Sequence, residues 1–312
     1  MCSLRRADRS RATHRYPHLL GLLDNKRPLI RSISAWALSR MAPWVADQAD
    51  DATYTHALLG KLCAHILDHN KKVQESACSC FASLAEYAGP KLAQFAGPIL
   101  DTLNAAFSKY VRPHLLVVAL LPAHQPASMC TRYQAKNIFI LYDALGTFCD
   151  SLGAEHLNKP VYISKVLAPL VARWNGLQDD DRQLCPLLEC MASVVRALGP
   201  GFAAAAATVY TRCLRLLESN LVTIKAAEDA HESLGEGDSL RDFVVLSLDM
   251  LSAMCEGLGP HVAKLVAGSN VLALVHECMR VRRSGRTVVI AAPHHVCACR
   301  TPTSLCGKAL AP

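Results

Sequence analysis

The chain has few of the residues that build β-sheets. Only 6% of its 312 residues are aromatic, β-branched residues are sparse, and apolar and polar residues rarely alternate. Because strands favour aromatic and β-branched side chains in such an alternation, the composition argues against a sheet protein. Leu and Ala, which are good helix formers, supply much of the 51% apolar content. We therefore expect an all-α protein.

Long apolar runs are also lacking. No run reaches the roughly 18–20 residues that span a bilayer, and residues 201–210 are apolar but too few. The basic N-terminus is not followed by the apolar segment of a secretory signal. We therefore expect no membrane partner. The fourteen cysteines, scattered along apolar segments, are then expected to be reduced and buried, as in cytosolic or nuclear proteins.

Recognisable catalytic motifs are missing as well. The sequence has no phosphate loop, no nucleophile elbow and no paired-His metalloprotease motif. A metal site is a remote alternative, because the residues that would form it lie in a C-terminal stretch without helical period. We expect no enzyme activity and no cofactor. The residues of that alternative zinc site are His294, His295, Cys297, Cys299 and Cys306.

What the chain does contain is an internal repeat. Residues 22–26 lead into residues 30–38, and residues 66–71 lead into residues 73–81. Each copy reads as the end of one helix, an Asp/Asn turn and a new apolar helix. The spacing of about 44 residues is typical of HEAT or armadillo repeats. We predict a HEAT-repeat α-solenoid, a superhelical stack of about five antiparallel helix pairs with a leading half pair.

Three basic segments do not share the helical period. Residues 1–14, 111–132 and 281–312 carry net charges of +3, +2 and +5. We expect the first and last to be disordered tails, and residues 111–132 to be an insertion between HEAT repeats at residues 15–110 and 133–280. Subtracting their +10 from the total of +7 leaves −3 on the repeats. A mildly acidic body suits a basic ligand and argues against a nucleic-acid partner, which would need a basic stripe.

Two of these segments begin alike, with Val-Arg at residues 111 and 281. Valine codons begin with GT, as introns do. We therefore hypothesise that residues 111–132 are a retained intron and that residues 281–312 are intron read-through. The alternative is that residues 111–132 are a genuine flexible insertion. A transcript that joins the codon of Tyr110 to that of residue 133 or 134 would support the intron; full read depth across the segment would contradict it.

Long runs of the helical body resemble the importin-β family of nuclear import receptors, in its transportin branch. The clearest runs are residues 31–40, which read Arg-Ser-Ile-Ser-Ala-Trp-Ala-Leu-Ser-Arg, and residues 66–78, which read Ile-Leu-Asp-His-Asn-Lys-Lys-Val-Gln-Glu-Ser-Ala-Cys. The resemblance covers residues 16–110 and 133–280. Relative to the family, residues 111–132 are an insertion.

The resemblance implies a receptor that carries cargo between cytoplasm and nucleus. Such receptors bind proline-tyrosine nuclear localisation signals, which are extended basic segments ending in Pro-Tyr, on the concave face of the solenoid. They also bind the Phe-Gly repeat proteins of the nuclear pore. Ran-GTP binds their N-terminal repeats and displaces cargo, helped by an acidic loop. The matching part of this chain begins after both features and stops before the last repeats, so we expect a central fragment without the main Ran site.

Trp36 lies at helical spacing from Ile33 and Arg40, so the three side chains share one helix face. Spacing alone favours a core position for Trp36. In the family, however, the matching positions form part of the pocket for the Pro-Tyr end, with apolar walls around the two rings and the Arg beside them. The resemblance therefore implies that Trp36 is exposed on the inner groove.

Acids and hydroxyls recur at helical spacing on the helices that follow. In this family those helices line the concave side, where successive carboxylates would form a ladder for a basic peptide and hydroxyls would bind its backbone. Acids also face solvent on any helix, and Asp143 lies in an apolar run where it is poorly placed without a partner. The candidates are Ser76, Ser83, Glu86, Asp143, Thr147, Asp150, Glu189, Asp249, Ser252 and Glu256.

Two functions stay open on these observations. One is a nuclear import receptor fragment, and the other is a generic HEAT-repeat scaffold for assembling protein complexes. An exposed Trp36 beside the acids favours the receptor, whereas a buried Trp36 with the acids on the convex side would favour the scaffold. Asp179, Asp180 and Asp181 are expected to serve only as a helix start, where negative charge meets the helix dipole.

Overall fold

The computed structural model describes residues 6–111, 127–230 and 239–283, and within these ranges the chain is helical and has no strand. This confirms the all-α prediction for the described part of the chain. The helices are α1 (Arg6–Leu22), α2 (Pro28–Ser39), α3 (Ala42–Ala46), α4 (Ala57–Ile66), α5 (Lys71–Leu92), α6 (Ala96–Val111), α7 (Ala127–Leu157), α8 (Pro160–Gly176), α9 (Leu184–Leu198), α10 (Ala203–Asp229), α11 (Ser239–Leu258), α12 (Ala263–Ala267) and α13 (Val271–Arg283).

The helices pack as five pairs in two layers. The pairs are α1 with α2, α4 with α5, α6 with α7, α8 with α9, and α10 with α11. The second helices of the pairs form a continuous layer in the order α2, α5, α7, α9, α11, and the first helices form the other layer. This is the predicted HEAT-repeat solenoid. Helices α12 and α13 belong to none of these pairs and follow the last described pair, whereas we expected a half pair at the start.

Polar contacts hold the second-helix layer together at the edge where its helices begin. The Asn70 side chain caps α5 by accepting from the backbone amides of Lys72 and Val73. Lys109 donates to the carbonyl of Leu67 at 2.6 Å, and Asn137 of α7 donates to the Gln74 side chain of α5 at 2.8 Å. The turn between α4 and α5 is therefore bonded to the neighbouring repeat as well as to its own helices.

At the opposite edge, where the second helices end, neighbouring second helices pack closely at glycines. A Cβ on Gly89 of α5 would lie 2.7 Å from Cβ of Ser151 in α7. A Cβ on Gly257 of α11 would overlap the backbone carbonyl of Val195 in α9. Glycine is required at both points because any side chain would push the neighbouring helices apart.

Three helix bounds fall inside the segments that lack helical period. Helix α1 begins at Arg6, so residues 6–14 are helical where we expected a disordered tail; Arg and Ala there are good helix formers. Helix α7 begins at Ala127, inside the expected insertion, and α13 ends at Arg283. Residues 1–5, 112–126 and 284–312 lie outside the described ranges. Residues 112–126 join two helices that pack as a pair, at a position where the other pairs have turns.

Two helical stretches pass a length-and-composition test for membrane spans, although no uninterrupted apolar run does. They are Leu184–Ala227 and Leu240–Ala267, and in each about half of the most apolar 18-residue window is buried inside the fold. The first is broken by the turn Gly199–Phe202, where Gly199 has a φ of 54°. Core helices of a two-layer solenoid satisfy the same test, so it is weak support for a membrane span.

The cysteines of the described ranges are free thiols, and most are buried. Burial raises the pKa of the Cys78 thiol to about 12, so it stays protonated at neutral pH. Cys78 and Cys80 point into the core on either side of exposed Ser79. The prediction of buried cysteines therefore holds for six of the nine in the described ranges, since Cys63 and Cys185 are half-buried and Cys255 is exposed.

Candidate functional site

Helix α2 presents a large apolar stripe to solvent. Trp36 is 62% exposed, and Ile33 and Leu29 are exposed with it, while Ala35 and Leu38 on the other side are buried. Arg40 is exposed one turn later. Trp36 is therefore not a core residue, which corrects the reading from spacing alone. Leu29, four residues before Ile33, belongs to the same stripe and was missed.

The other second helices also expose one stripe each. Helices α5, α7 and α9 each lie between two neighbours in their own layer and against a first helix, which covers their remaining sides, and α11 packs on α9 and α10. We call these joined stripes of α2, α5, α7, α9 and α11 the open face. The predicted acids Glu86, Asp143, Asp150, Glu189, Asp249 and Glu256 and the hydroxyl of Ser252 are exposed on it, and Ser76, Ser83 and Thr147 are half-buried in it.

Four carboxylates on successive helices form what we call the acid row: Glu86, Asp143, Glu189 and Asp249. Partial burial raises the pKa of Asp143, and the nearby Glu86 charge raises it further. Partial burial also raises the pKa of Glu189, with Asp143 and Asp249 as the next causes. The carboxylates therefore interact across helix boundaries, and their mutual repulsion favours any cation that binds between them.

The concern that Asp143 is misplaced in an apolar run is resolved by its orientation. Tyr142 and Ala144 are buried, whereas Asp143 points outward on the open face. Helical periodicity alone separates these neighbours. Its raised pKa shows that the position is nevertheless unfavourable for a charge.

Two ion pairs flank the acid row. Lys136 of α7 pairs with Glu75 of α5 at 2.8 Å. Arg196 of α9 lies 4.0 Å from Glu256 of α11, which also accepts a hydrogen bond from Ser252 at 3.2 Å. Glu256 therefore already has two partners, whereas a simple ladder of carboxylates would leave it available to a bound peptide.

The hydroxyls of the open face are engaged within the protein. The Ser83 hydroxyl donates to the Ser79 carbonyl at 3.2 Å, so it can only accept from a bound peptide. The Ser76 hydroxyl lies 2.7 Å from that of Ser32, which joins α5 to α2. Ser32 was not anticipated, since its partner is 44 residues away.

Asp179 has a structural role that sequence reasoning missed. Its carboxylate accepts from Nε of Arg212 at 2.7 Å and from Nε of Arg215 at 2.9 Å, both on α10. Arg212 also stacks over Trp174, 4.6 Å from the ring. Helix α9 begins only at Leu184, so Asp179 is not a helix start. It ties the α8–α9 turn to the next pair.

A cavity of about 350 Å³ opens between α8 and α10 on the first-helix side of the stack. We call it the outer groove. Trp174 lines it and is fully buried, and Trp174 Nε1 has no hydrogen-bond partner among the described residues. Most of the lining is apolar, so the groove suits an apolar group. Its lining residues are Ser164, Leu167, Ala168, Val171, Trp174, Asn175, Ala204, Ala205, Thr208 and Val209.

Among the residues that the structure describes, no group of three or more His, Cys, Asp or Glu is placed to hold a metal ion. The alternative zinc site at residues 294–306 lies outside the described ranges. The open face presents an apolar stripe at one end and carboxylates along the rest.

Comparisons with known proteins give a consistent set of relatives. No protein-family model matches the chain. Mouse Transportin-1 is 44% identical over 264 residues, which are 85% of this chain and 26% of that protein. Importin subunit beta-2 of Schizosaccharomyces pombe is 39% identical over 255 residues, 81% of this chain and 25% of that protein. The chain thus spans about a quarter of the length of these relatives.

Among solved structures, a crystal structure of importin beta in a polyethylene glycol condition aligns with 91% of this chain and 36% of its own chain. The identity is 10% and the TM-score is 0.49.

Proposed function

We propose that the open face of this chain, which belongs to the transportin family of nuclear import receptors, binds basic proline-tyrosine nuclear localisation signals of cargo proteins. The observation that carries the proposal is the exposed Trp36 stripe, which lies on the same face as a row of carboxylates from four successive helices. A signal with an aromatic end and a basic body matches both parts.

The Trp36 stripe supplies the apolar end of this site. Ile33 and Trp36 expose large apolar side chains, and covering them with a Pro ring and a Tyr ring would make the binding free energy more favourable. Arg40 stands one turn further on the same face and is available to a polar group of the peptide. An aromatic side chain that becomes buried in a complex carries much of the binding energy in many interfaces.

The acid row supplies the part of the site that binds the basic body of the signal. Packed helices lie about 8–10 Å apart, and an extended peptide advances about 3.3 Å per residue. A peptide that crosses the row would therefore meet one carboxylate about every three residues. Arg or Lys at those positions relieves the repulsion that raises the pKa of Asp143 and Glu189.

The proposal assigns individual roles across the open face. Ser76, Ser83 and Thr147 accept hydrogen bonds from the peptide backbone or its side chains. Asp150 and Ser252 extend the polar surface beside the acid row. Glu256 contributes less, because Arg196 and Ser252 already bind it.

The generic scaffold is the weaker alternative. A buried Trp36 with the acids on the other layer would favour it, whereas Trp36 is exposed and the acids lie on the same layer of second helices. A scaffold also has no need for an acid row whose members repel one another.

The outer groove is our proposed contact for Phe-Gly repeats of the nuclear pore. Its volume of about 350 Å³ and apolar lining suit the insertion of an aromatic ring against Trp174. The absence of the main Ran-GTP site from this chain stays a prediction.

Fluorescence polarisation of a labelled basic peptide tests the main proposal. The full chain is titrated against a peptide that ends in Pro-Tyr and against the same peptide with Ala-Ala. We expect tighter binding of the Pro-Tyr form, and weaker binding of both as salt rises, because the acid row contributes through charge. Equal affinities for the two peptides, with the chain folded by circular dichroism, would leave the scaffold as the better function.

A further inference from the structure

The turns that lead into α2 and α5 carry cations side by side. These turns adjoin, because Arg31 of α2 donates to the Lys26 carbonyl at 3.3 Å and pairs with Asp68 in the turn before α5. Lys109 at the end of α6 donates to the Asp68 carbonyl at 3.0 Å and so lies against the same turn. We call this cluster of five side chains the basic edge. It consists of Lys26, Arg27, Lys71, Lys72 and Lys109, of which Lys71 is half-buried and the others are exposed.

The carboxylates that lie beside the basic edge are engaged by other side chains. Asp68 forms its buried pair with Arg31. The two remaining acids of these turns and helix starts, Asp24 and Glu75, pair with lysines outside the cluster. Among the residues that the structure describes, no carboxylate forms an ion pair with a cation of the basic edge. The cluster therefore keeps its positive charge, and its summed potential attracts anions to this edge of the stack.

We propose that the basic edge is a docking surface for an acidic peptide segment of a partner protein. Its two turns belong to neighbouring helix pairs, which lie about 8–10 Å apart, and an extended chain advances about 3.3 Å per residue. An acidic residue at about every third position would therefore meet the cations of both turns in succession. The open face, with its acid row, attracts segments of the opposite charge, so the two surfaces select different ligands.

The side chains around the cations fit a peptide better than a nucleic acid. Leu29 lies two residues after Arg27 and is 63% exposed, so an apolar side chain of the acidic segment can pack on it. Single-stranded nucleic acid is held by aromatic side chains that stack on its bases. Residues 24–29 and 67–72, which form the two turns, contain no Phe, Tyr or Trp. The basic edge therefore offers charge and one apolar contact, which an acidic segment with one apolar residue satisfies.

Fluorescence polarisation of a labelled acidic peptide tests the basic edge. The full chain is titrated with a peptide of alternating Glu and Ser around one central Leu, and with the same peptide carrying Gln in place of Glu. We expect tighter binding of the Glu peptide, and Lys26→Gln combined with Lys72→Gln should weaken it about tenfold at low salt. Lys159→Gln combined with Lys264→Gln is the control, because it removes two exposed cations outside the basic edge. It should change the affinity by less than about twofold.

Three results would overturn the proposal. One is equal weakening by the two double variants, and another is equal affinity for the Glu and Gln peptides. The third is tighter binding of oligouridine RNA than of the Glu peptide, with the same dependence on Lys26 and Lys72, which would assign the basic edge to nucleic acid. Trp36→Ala should leave binding of the Glu peptide unchanged. Failure of the basic edge is therefore distinguishable from failure of the proposed receptor function, which is measured with basic Pro-Tyr peptides.

Discussion

Arg31 of α2 and Asp68 of the next turn form a buried, two-point ion pair. Nε of Arg31 lies 3.0 Å from Oδ2 of Asp68, and Nη2 lies 3.0 Å from Oδ1. Each side chain is only 9% exposed. Arg31 also donates to the Asn25 carbonyl at 2.8 Å, so one side chain joins two consecutive turns of the stack. Burial opposes ionisation of Asp68, but hydrogen bonds from Asn70 and Arg31 outweigh it and lower the pKa.

Arg31→Met should therefore destabilise the fold strongly. It removes the charge while keeping an apolar stem, and it leaves Asp68 buried without its partner, which costs about 3–5 kcal/mol. Urea unfolding measures this loss. Lys61→Met is the matched control, because it breaks the exposed Lys61–Asp24 pair, and such pairs contribute about 0–1 kcal/mol. Equal losses in the two variants would contradict a special role for Arg31.

Trp36→Ala should weaken binding of the Pro-Tyr peptide without unfolding the chain. Truncating a central aromatic anchor costs about 1–4 kcal/mol of binding free energy, and Trp36 is too exposed to contribute much to the core. Val161→Ala is the control, because Val161 is an exposed apolar residue on α8, outside the open face. Peptide titrations of both variants measure the difference; the same affinity in both would remove Trp36 from the site.

Asp143→Asn should raise stability and lower peptide affinity at the same time. The pKa of Asp143 is raised in the folded state, so the folded chain binds its proton more tightly than the unfolded chain does. The ionised carboxylate therefore destabilises the fold above the raised pKa, and this effect vanishes below the unfolded pKa, where both states are protonated. Thermal unfolding at pH 7 and pH 3.5 should show a gain, of less than about 1 kcal/mol, only at pH 7.

The same variant in peptide titrations separates the two roles of this carboxylate. A gain in stability with unchanged affinity for the basic peptide would exclude Asp143 from the binding site. A loss of affinity that disappears at high salt would support its place in the acid row.

Gly257→Ala should destabilise the chain even though Ala is the better helix former. The new Cβ would overlap the Val195 carbonyl, which belongs to backbone and cannot move aside cheaply. A cost of about 1–3 kcal/mol is typical of such overpacking. Gly60→Ala is the control, because nothing lies within 4 Å of a Cβ there, and it should stabilise helix α4 by about 0.5–1 kcal/mol. A stabilising Gly257→Ala would mean that α9 and α11 can move apart freely.

The sequence predicted the features that depend on local pattern. The repeat at residues 22–38 and 66–81 was enough for the helix pairs and turns, because period and turn residues are local signals. Contacts between repeats were not predictable. Asp179 looked like a helix start since its partners Arg212 and Arg215 lie on another helix.

The candidate site was likewise predictable only where its features depend on local spacing. Spacing placed Ile33, Trp36 and Arg40 on one face but could not say which face, because solvent exposure depends on which side the neighbouring helices cover. The resemblance supplied that choice. The outer groove at Trp174 had no sequence signal, since it arises where α8 and α10 fail to pack closely.

The glycine contacts at one edge of the second-helix layer define where the stack can bend. At Gly89 and Gly257 the helices already touch through backbone and cannot approach further. At the other edge Lys109 makes its hydrogen bond at the surface, whereas Asn137 and Gln74 bond each other in the interior. The glycine contacts set a lower limit on the distance between neighbouring second helices at their edge, so the stack cannot curve more tightly towards it.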